Sequence, residues 1–361
     1  MPRKSTRREF LTGKAAADAA ADALGGAIPA GPIGGAYLVR VARRAMACEF
    51  EVQLNAGQYE NDTRHALDAL DLVDRIEDRL SFFREHSELS RVNRTAAEGP
   101  VEVDAELFDL LETALRLSLQ TEGAFDPTAT PLWEAWGFAQ RAGRVPDDET
   151  LAEALGRVGS RFVELDPEQQ TVRFRKPGLR LNLGAIGKGY ALDRCAEQLA
   201  SAAIGDFLIH GGGSSVLARG SQATGRGQKE QPNPDGWLLG VRHPTRHDRR
   251  LAEIRLRDRA LATSGSWAQS FVYGGRRLGH ILDPRTGWPA EGVLSTTVVG
   301  PSAALADALS TGFYVMGPEK SLDFCRSRPE LGVLLACPGR GPGGVEVHSA
   351  GLGEEELTLL G

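Results

Sequence analysis

Beyond residue 180 the chain breaks into short stretches of strand character, at 206–210, 237–241, 251–256, 267–273, 295–300 and 331–336, with helical spacing only near 188–201 and 302–316. Such a succession lacks regular βαβ spacing and so disfavours a doubly wound parallel sheet, in which each parallel step needs a crossover of its own, usually a helix. It predicts an α+β protein of mixed, mostly antiparallel sheets flanked by helices. The first half fits that class. Cys48, Phe50, Val52 and Leu54 alternate with Glu49, Glu51 and Gln53, the period of a half-buried strand, so the domain is expected to run from about residue 37 to 361. Ala66, Leu70, Val73, Ile76 and Leu80 recur at helical spacing and predict an amphipathic helix over 63–80. A second helix is expected from the N-cap Asp104 through Leu107, Leu111, Ala114 and Leu117 to Gly123. Residues 161–165 and 171–175 read as a hairpin turning through Asp166-Pro167, and 219–236, rich in Gly, Gln, Pro and Asn, as a solvated loop.

Composition removes several functions. With 42 basic against 48 acidic residues and a net charge of -6, the chain has no electrostatic footprint for nucleic acid. The four cysteines, Cys48, Cys195, Cys325 and Cys337, form no C-x-x-C pair and suggest neither a zinc site nor a disulfide framework. No apolar run reaches the roughly 18 to 20 residues of a membrane span. Residues 1–36 differ from the rest: Thr6-Arg7-Arg8-Glu9-Phe10-Leu11 resembles a twin-arginine export signal, which implies a periplasmic or cell-envelope location. Asp18 and Asp22, within the Ala-rich stretch that follows, fit a disordered tail of a cytoplasmic protein instead. The first cysteine, Cys48, lies inside the expected domain, so no lipid-anchoring cysteine follows the signal.

Five patches could carry chemistry. Gly184-Ala185-Ile186-Gly187-Lys188-Gly189 opens a helix, where free backbone N–H groups, the positive dipole end and Lys188 could receive an anion; a mere structural turn is the bland alternative. Asp307 and Thr311, at i and i+4 in an otherwise apolar helix, could offer oxygen to a hard cation or simply bond to each other. His280, at a strand end before the turn Asp283-Pro284-Arg285-Thr286-Gly287, is a candidate general base, with Asp283 capping the turn. Gly123-Ala124-Phe125-Asp126-Pro127-Thr128 precedes Trp133, Trp136 and Phe138, aromatics that could hold a planar ligand or fill a core. Residues 80–93, from Leu80-Ser81-Phe82-Phe83-Arg84 to Ser87-Glu88-Leu89-Ser90-Arg91-Val92-Asn93, read as a polar loop after a helix.

Taken in chain order, the patches resemble the ApbE family of FAD:protein FMN transferases over about residues 40–340, together with Met46-Ala47-Cys48, Leu181 to Tyr190 and Thr263-Ser264-Gly265. The resemblance implies FAD as substrate, contacted by Met46, Phe83, Ala124, Phe125, Asp126, Asn182, Lys188 and Leu282. It implies Mg2+ held by Asp307, Thr311 and the Ala185 carbonyl, and His280 activating the acceptor hydroxyl. FMN would pass through its phosphate to a Thr or Ser of an acceptor protein carrying a Ser/Thr-Gly-Ala-Ser/Thr motif, such as a subunit of a membrane redox complex, with release of AMP. Two departures stand out: Asn182 where the family pattern has Asp, and Phe83 where it has Tyr. An FAD pyrophosphatase, in which water replaces the acceptor hydroxyl, uses the same residues; a non-catalytic FAD-binding protein would need neither His280 nor a cation. Oligomeric state, a homodimer included, is left open.

Overall fold

Eight strands build the central sheet of the computed structural model: β1 (Leu38–Ala45), β2 (Cys48–Asn55), β3 (Phe207–Gly211), β4 (Ser215–Arg219), β5 (Arg259–Gly265), β6 (Ser295–Gly300), β7 (Gly332–Pro338) and β8 (Val345–Ala350). Neighbours are all antiparallel, and spatial order follows chain order from β1 to β8. The structure describes residues 28–29, 37–140, 143–223, 235–246, 248–266, 269–341 and 343–360. Eight helices lie among them: α1 (Asp62–Leu80), α2 (Glu88–Thr95), α3 (Ala105–Gln120), α4 (Thr130–Ala135), α5 (Asp148–Leu155), α6 (Gly187–Ser201), α7 (Ala303–Met316) and α8 (Pro318–Arg326). The α+β class is as expected.

Both faces of the central sheet are covered. Phe50, Val52, Leu54, Phe207 and Ile209 pack in the main core with Leu70 and Val73 of α1, Leu192 and Leu199 of α6, and Leu309 and Phe313 of α7. Leu208, Val216, Leu261, Val299 and Leu334 turn the other way, onto Leu239, Val241 and Ile254 of a second antiparallel sheet. That sheet is built from Trp237–Arg242, Arg250–Leu256 and Leu357–Leu359, with Ile28–Pro29 at one edge. Two-sided burial explains why β6 is buried along its whole length and shows no apolar–polar alternation. A third core, formed by Leu132, Trp136, Phe138, Leu151, Val158, Leu278 and Leu282, gathers α4, α5 and the hairpin Ser270–Tyr273/Arg276–Gly279.

The predicted first helix is α1, and the second is α3, whose Asp104 carboxylate accepts the Glu106 N–H at 2.8 Å. The predicted hairpin forms from Val163–Asp166 and Thr171–Phe174. The polar-loop reading of residues 80–93 is corrected: Ser87 caps helix α2 by accepting the Ser90 N–H at 3.0 Å, and Leu89 and Val92 enter the core. Two turns are too short for apolar periodicity to stand out. Of the strand expected over 267–273 the structure has Ser270–Tyr273, residues 267–268 lying outside the described residues. Most of the loop expected over 219–236, and the twin-arginine-like segment, also fall outside them.

Candidate active site

The starts of α6 and α7 are drawn together by shared polar groups. Asp193 of α6 accepts the Ala303 and Ala304 N–H groups at 2.8 and 2.9 Å and the Ser302 hydroxyl at 2.9 Å, capping α7 from outside its own chain segment. In return Asp307 of α7 accepts the Gly189 N–H of α6 at 2.6 Å through Oδ2, and the Ser215 hydroxyl at 2.6 Å through Oδ1. A side chain at Gly189 has no room, since a Cβ there would lie 2.1 Å from the Ala303 carbonyl oxygen. The glycine turn therefore serves a close helix crossing, and the free N–H of Gly189 meets an anion that the protein itself supplies.

Asp307 is only 6% exposed. Burial pushes its carboxyl above the ordinary range, while nearby Lys188, the Ser215 hydroxyl and the Gly189 N–H favour its charged form. Lys188 reaches the Ser214 hydroxyl at 2.7 Å. Thr311, one turn beyond Asp307, shares a 3.2 Å hydrogen bond with Ser264 of β5, which lies 2.7 Å from Ser310. Asp307 and Thr311 thus spend their bonds on other partners, and the i,i+4 bond entertained from the sequence is replaced by a hydroxyl network.

His280 follows the strand Arg276–Gly279 and is half-buried. Its Nδ1 lies 3.1 Å from the Gln269 carbonyl oxygen, and its backbone N–H donates to the same oxygen at 3.0 Å. A carbonyl only accepts, so the ring proton sits on Nδ1 and Nε2 keeps its lone pair. Burial holds the pKa below the ordinary imidazole value against the Gln269 bond, and Lys188 lowers it further. The next turn is rigid: Asp283 takes the Arg285 N–H at 2.9 Å and its guanidinium through two bonds at 2.8 Å, the capping role expected of it.

A cleft of about 430 Å³ brings these groups together, a size in the range of small-molecule sites. Phe83, Ala124, Phe125, Asp126, Asn182, Ala185, Lys188, His280, Leu282, Asp307 and Thr311 all line it. Met46 does not appear in its lining; with Ala47 it forms the left-handed turn between β1 and β2, at φ 47° and 62°, and packs against the main core. Asp126 ties its own loop to the segment at Ser160, accepting from the Thr128 and Ser160 backbone N–H groups and hydroxyls. Asn182 accepts the Gly184 N–H at 2.8 Å, a bond that needs only an oxygen and that Asp could make equally. Phe83 is 71% exposed, its ring edge-on to Trp133, which also lines the cleft, whereas Trp136 and Phe138 are core.

Sequence reasoning missed further residues. Asn93 clamps the Leu181 backbone through paired bonds at 2.7 and 2.8 Å and so fixes the connecting segment that leads to Asn182. Ser214 and Ser215 contribute hydroxyls directly, and Arg242, His243 and Pro244 reach the cleft from the second sheet. Only the Ser pair after three glycines hinted at this.

A family model described as the ApbE family matches residues 46–335. The chain belongs to the ApbE family. Among relatives of this ApbE chain, a protein of Haemophilus influenzae named FAD:protein FMN transferase is 33% identical over 253 residues, covering 68% of this chain and 70% of the relative. One of the same name from Treponema pallidum is 34% identical over 269 residues, covering 72% and 73%. The crystal structure of the ApbE protein of Thermotoga maritima superposes with a TM-score of 0.75 at 31% identity, covering 87% of this chain and 97% of that one. The flavin transferase ApbE of Vibrio cholerae gives 0.74 at 27% identity, with the same coverage.

Proposed function

We propose that this ApbE chain transfers FMN from FAD to a Thr or Ser hydroxyl of an acceptor protein and releases AMP. The observation that carries the reading is the 3.1 Å approach of His280 Nδ1 to the Gln269 carbonyl, which assigns the ring proton to Nδ1 and leaves Nε2 as the base, on a cleft shared with Lys188 and Asp307. The acceptor oxygen attacks the flavin-side phosphorus, its proton passes to His280 Nε2, and the bond from that phosphorus to the bridging oxygen breaks, leaving that oxygen on AMP. A positioned base of this kind contributes about 10²- to 10⁴-fold in rate. Lys188 holds phosphate oxygens by point charge, and Phe83 with Trp133 offers aromatic faces at the cleft for the flavin or adenine.

The oxygen set of Asp307, Thr311 and the Ala185 carbonyl fits Mg2+. The cation takes hard oxygen ligands and is commonly bound by one carboxylate together with waters and substrate phosphates. Lys188, the Ser215 hydroxyl and the Gly189 N–H favour the charged form of the buried Asp307, the form that ligates a cation, while the Lys188 ammonium itself opposes the added positive charge. Bound there, Mg2+ would supply charge neutralisation on the pyrophosphate.

The test incubates the purified chain with FAD, Mg2+ and a protein bearing a Ser/Thr-Gly-Ala-Ser/Thr motif, followed by intact-mass spectrometry. The expected result is an FMN adduct on the acceptor that disappears in His280→Ala and Asp307→Ala. AMP and free FMN without adduct would establish a pyrophosphatase instead, and intact FAD a binding protein. The Arg7-Arg8 segment supports export to the periplasm; an Arg7→Lys/Arg8→Lys variant retained in the cytoplasm on fractionation, against an exported unaltered chain, is the matching outcome.

A further inference from the structure

Arg242 ends the strand Trp237–Arg242 of the second sheet and lines the cleft beside Lys188, Ser214 and His280. Its position disfavours a purely structural role. It stands directly across the ladder from Arg250, and like charges so placed repel. Arg250 is neutralised by Glu253 at 2.8 Å. Arg242 has no carboxylate partner among the described residues, and its Nε is buried without a hydrogen-bond acceptor. The segment after it is pinned, because His243 is buried and its Nδ1 accepts the Thr245 and Arg246 N–H groups at 3.2 and 3.0 Å. A guanidinium with unspent donors, carried on a pinned stretch of backbone at the wall of a cleft, is suited to an anion that arrives from outside the fold.

We infer that Arg242 binds phosphate oxygens of the nucleotide substrate, as a positioning residue acting from the second sheet while Lys188 acts from α6. The inference rests on the FAD reading above and deepens it. A guanidinium matches phosphate through two parallel N–H···O bonds, which fixes orientation as well as charge, and Lys cannot reproduce that fork. The phosphate could be the flavin-side or the adenylate-side one, and the ligands used below separate the two.

The experiment measures Kd for FAD, FMN, AMP and phosphate-free riboflavin in magnesium-free buffer, on the unaltered chain, Arg242→Gln and Arg242→Lys, with thermal melting as a check on folding. Losing a charged hydrogen-bonding partner should weaken FAD by about 10- to 100-fold in Arg242→Gln. Arg242→Lys should recover part of that loss, and riboflavin should bind all three proteins alike. Weakening of AMP but not FMN assigns the contact to the adenylate phosphate, and the reverse to the flavin phosphate. Unchanged affinity for FAD, FMN and AMP, or a loss shared equally by riboflavin, would overturn the inference. Arg242-dependent AMP binding by a chain that forms no FMN adduct would leave it standing and remove the transferase reading.

Discussion

Gly189 donates its backbone N–H to the Asp307 carboxylate at 2.6 Å, so the first turn of one helix is bonded to the second turn of another at a single acidic side chain. The carboxylate proposed as a cation ligand is also the bolt between α6 and α7.

Replacing that carboxylate should therefore cost stability as well as activity. Asp307→Ala leaves the Gly189 N–H and Ser215 hydroxyl without their acceptor, at about 1–3 kcal/mol for each buried group left unsatisfied. A lower melting temperature is expected, with FMN transfer abolished even well below that temperature. Full activity in a destabilised variant would remove Asp307 from the chemistry.

Gly189→Ala tests the helix crossing without touching a polar side chain. Its Cβ would stand 2.1 Å from the Ala303 carbonyl oxygen, which must move or the helices part. Overpacking of this order typically costs about 1–3 kcal/mol. Chemical denaturation should show a reduced midpoint, and the displacement of Asp307 should lower activity further.

His280 should govern the acid side of the rate profile. Only the neutral ring can take a proton, and burial keeps it neutral below the ordinary imidazole pKa of about 6.5. The rate should hold as pH falls past that value and drop only when the lowered pKa is reached. Stability follows the same sign: unfolding takes up a proton in that window, so stability is full above the unfolded value and declines as pH falls toward the folded one. A rate that declines already above pH 7 with an ordinary histidine limb would contradict this assignment.

Asn182→Asp restores the residue type expected from the family pattern. The Gly184 N–H keeps an oxygen acceptor, so the fold should be unaffected, with melting within about 0.5 kcal/mol of the unaltered chain. The added negative charge on the cleft should lower the Mg2+ concentration needed for half-maximal rate severalfold, read from a metal titration.

Much of this was legible in the chain, for reasons that can be traced. Helix α1 announced itself because five turns repeat one apolar stripe, and α3 because Asp104 caps a similar run. Helix α2 did not, since two turns hold too few apolar positions to define a face. Strands β4 and β5 escaped because two-sided burial erases alternation and because Ser and Thr at their ends look like turn residues until Asp307 and Thr311 are placed against them. Ordered motifs brought Lys188, His280 and Asp307 into one site. Arg242 belongs to no such motif, and only the folding of the second sheet onto the first carries it to the cleft.

The third core gives the site a division of labour. Leu278 and Leu282, on either side of His280, anchor there, and Trp136 reaches from it to the Gly287 carbonyl at 2.7 Å. Lys188, Asp307 and Thr311 instead ride on helices of the main core. Substitutions in α5, whose Leu151 and Ala154 belong to this core and which lines no part of the cleft, can thus shift His280 while leaving Lys188, Asp307 and Thr311 on their own helices.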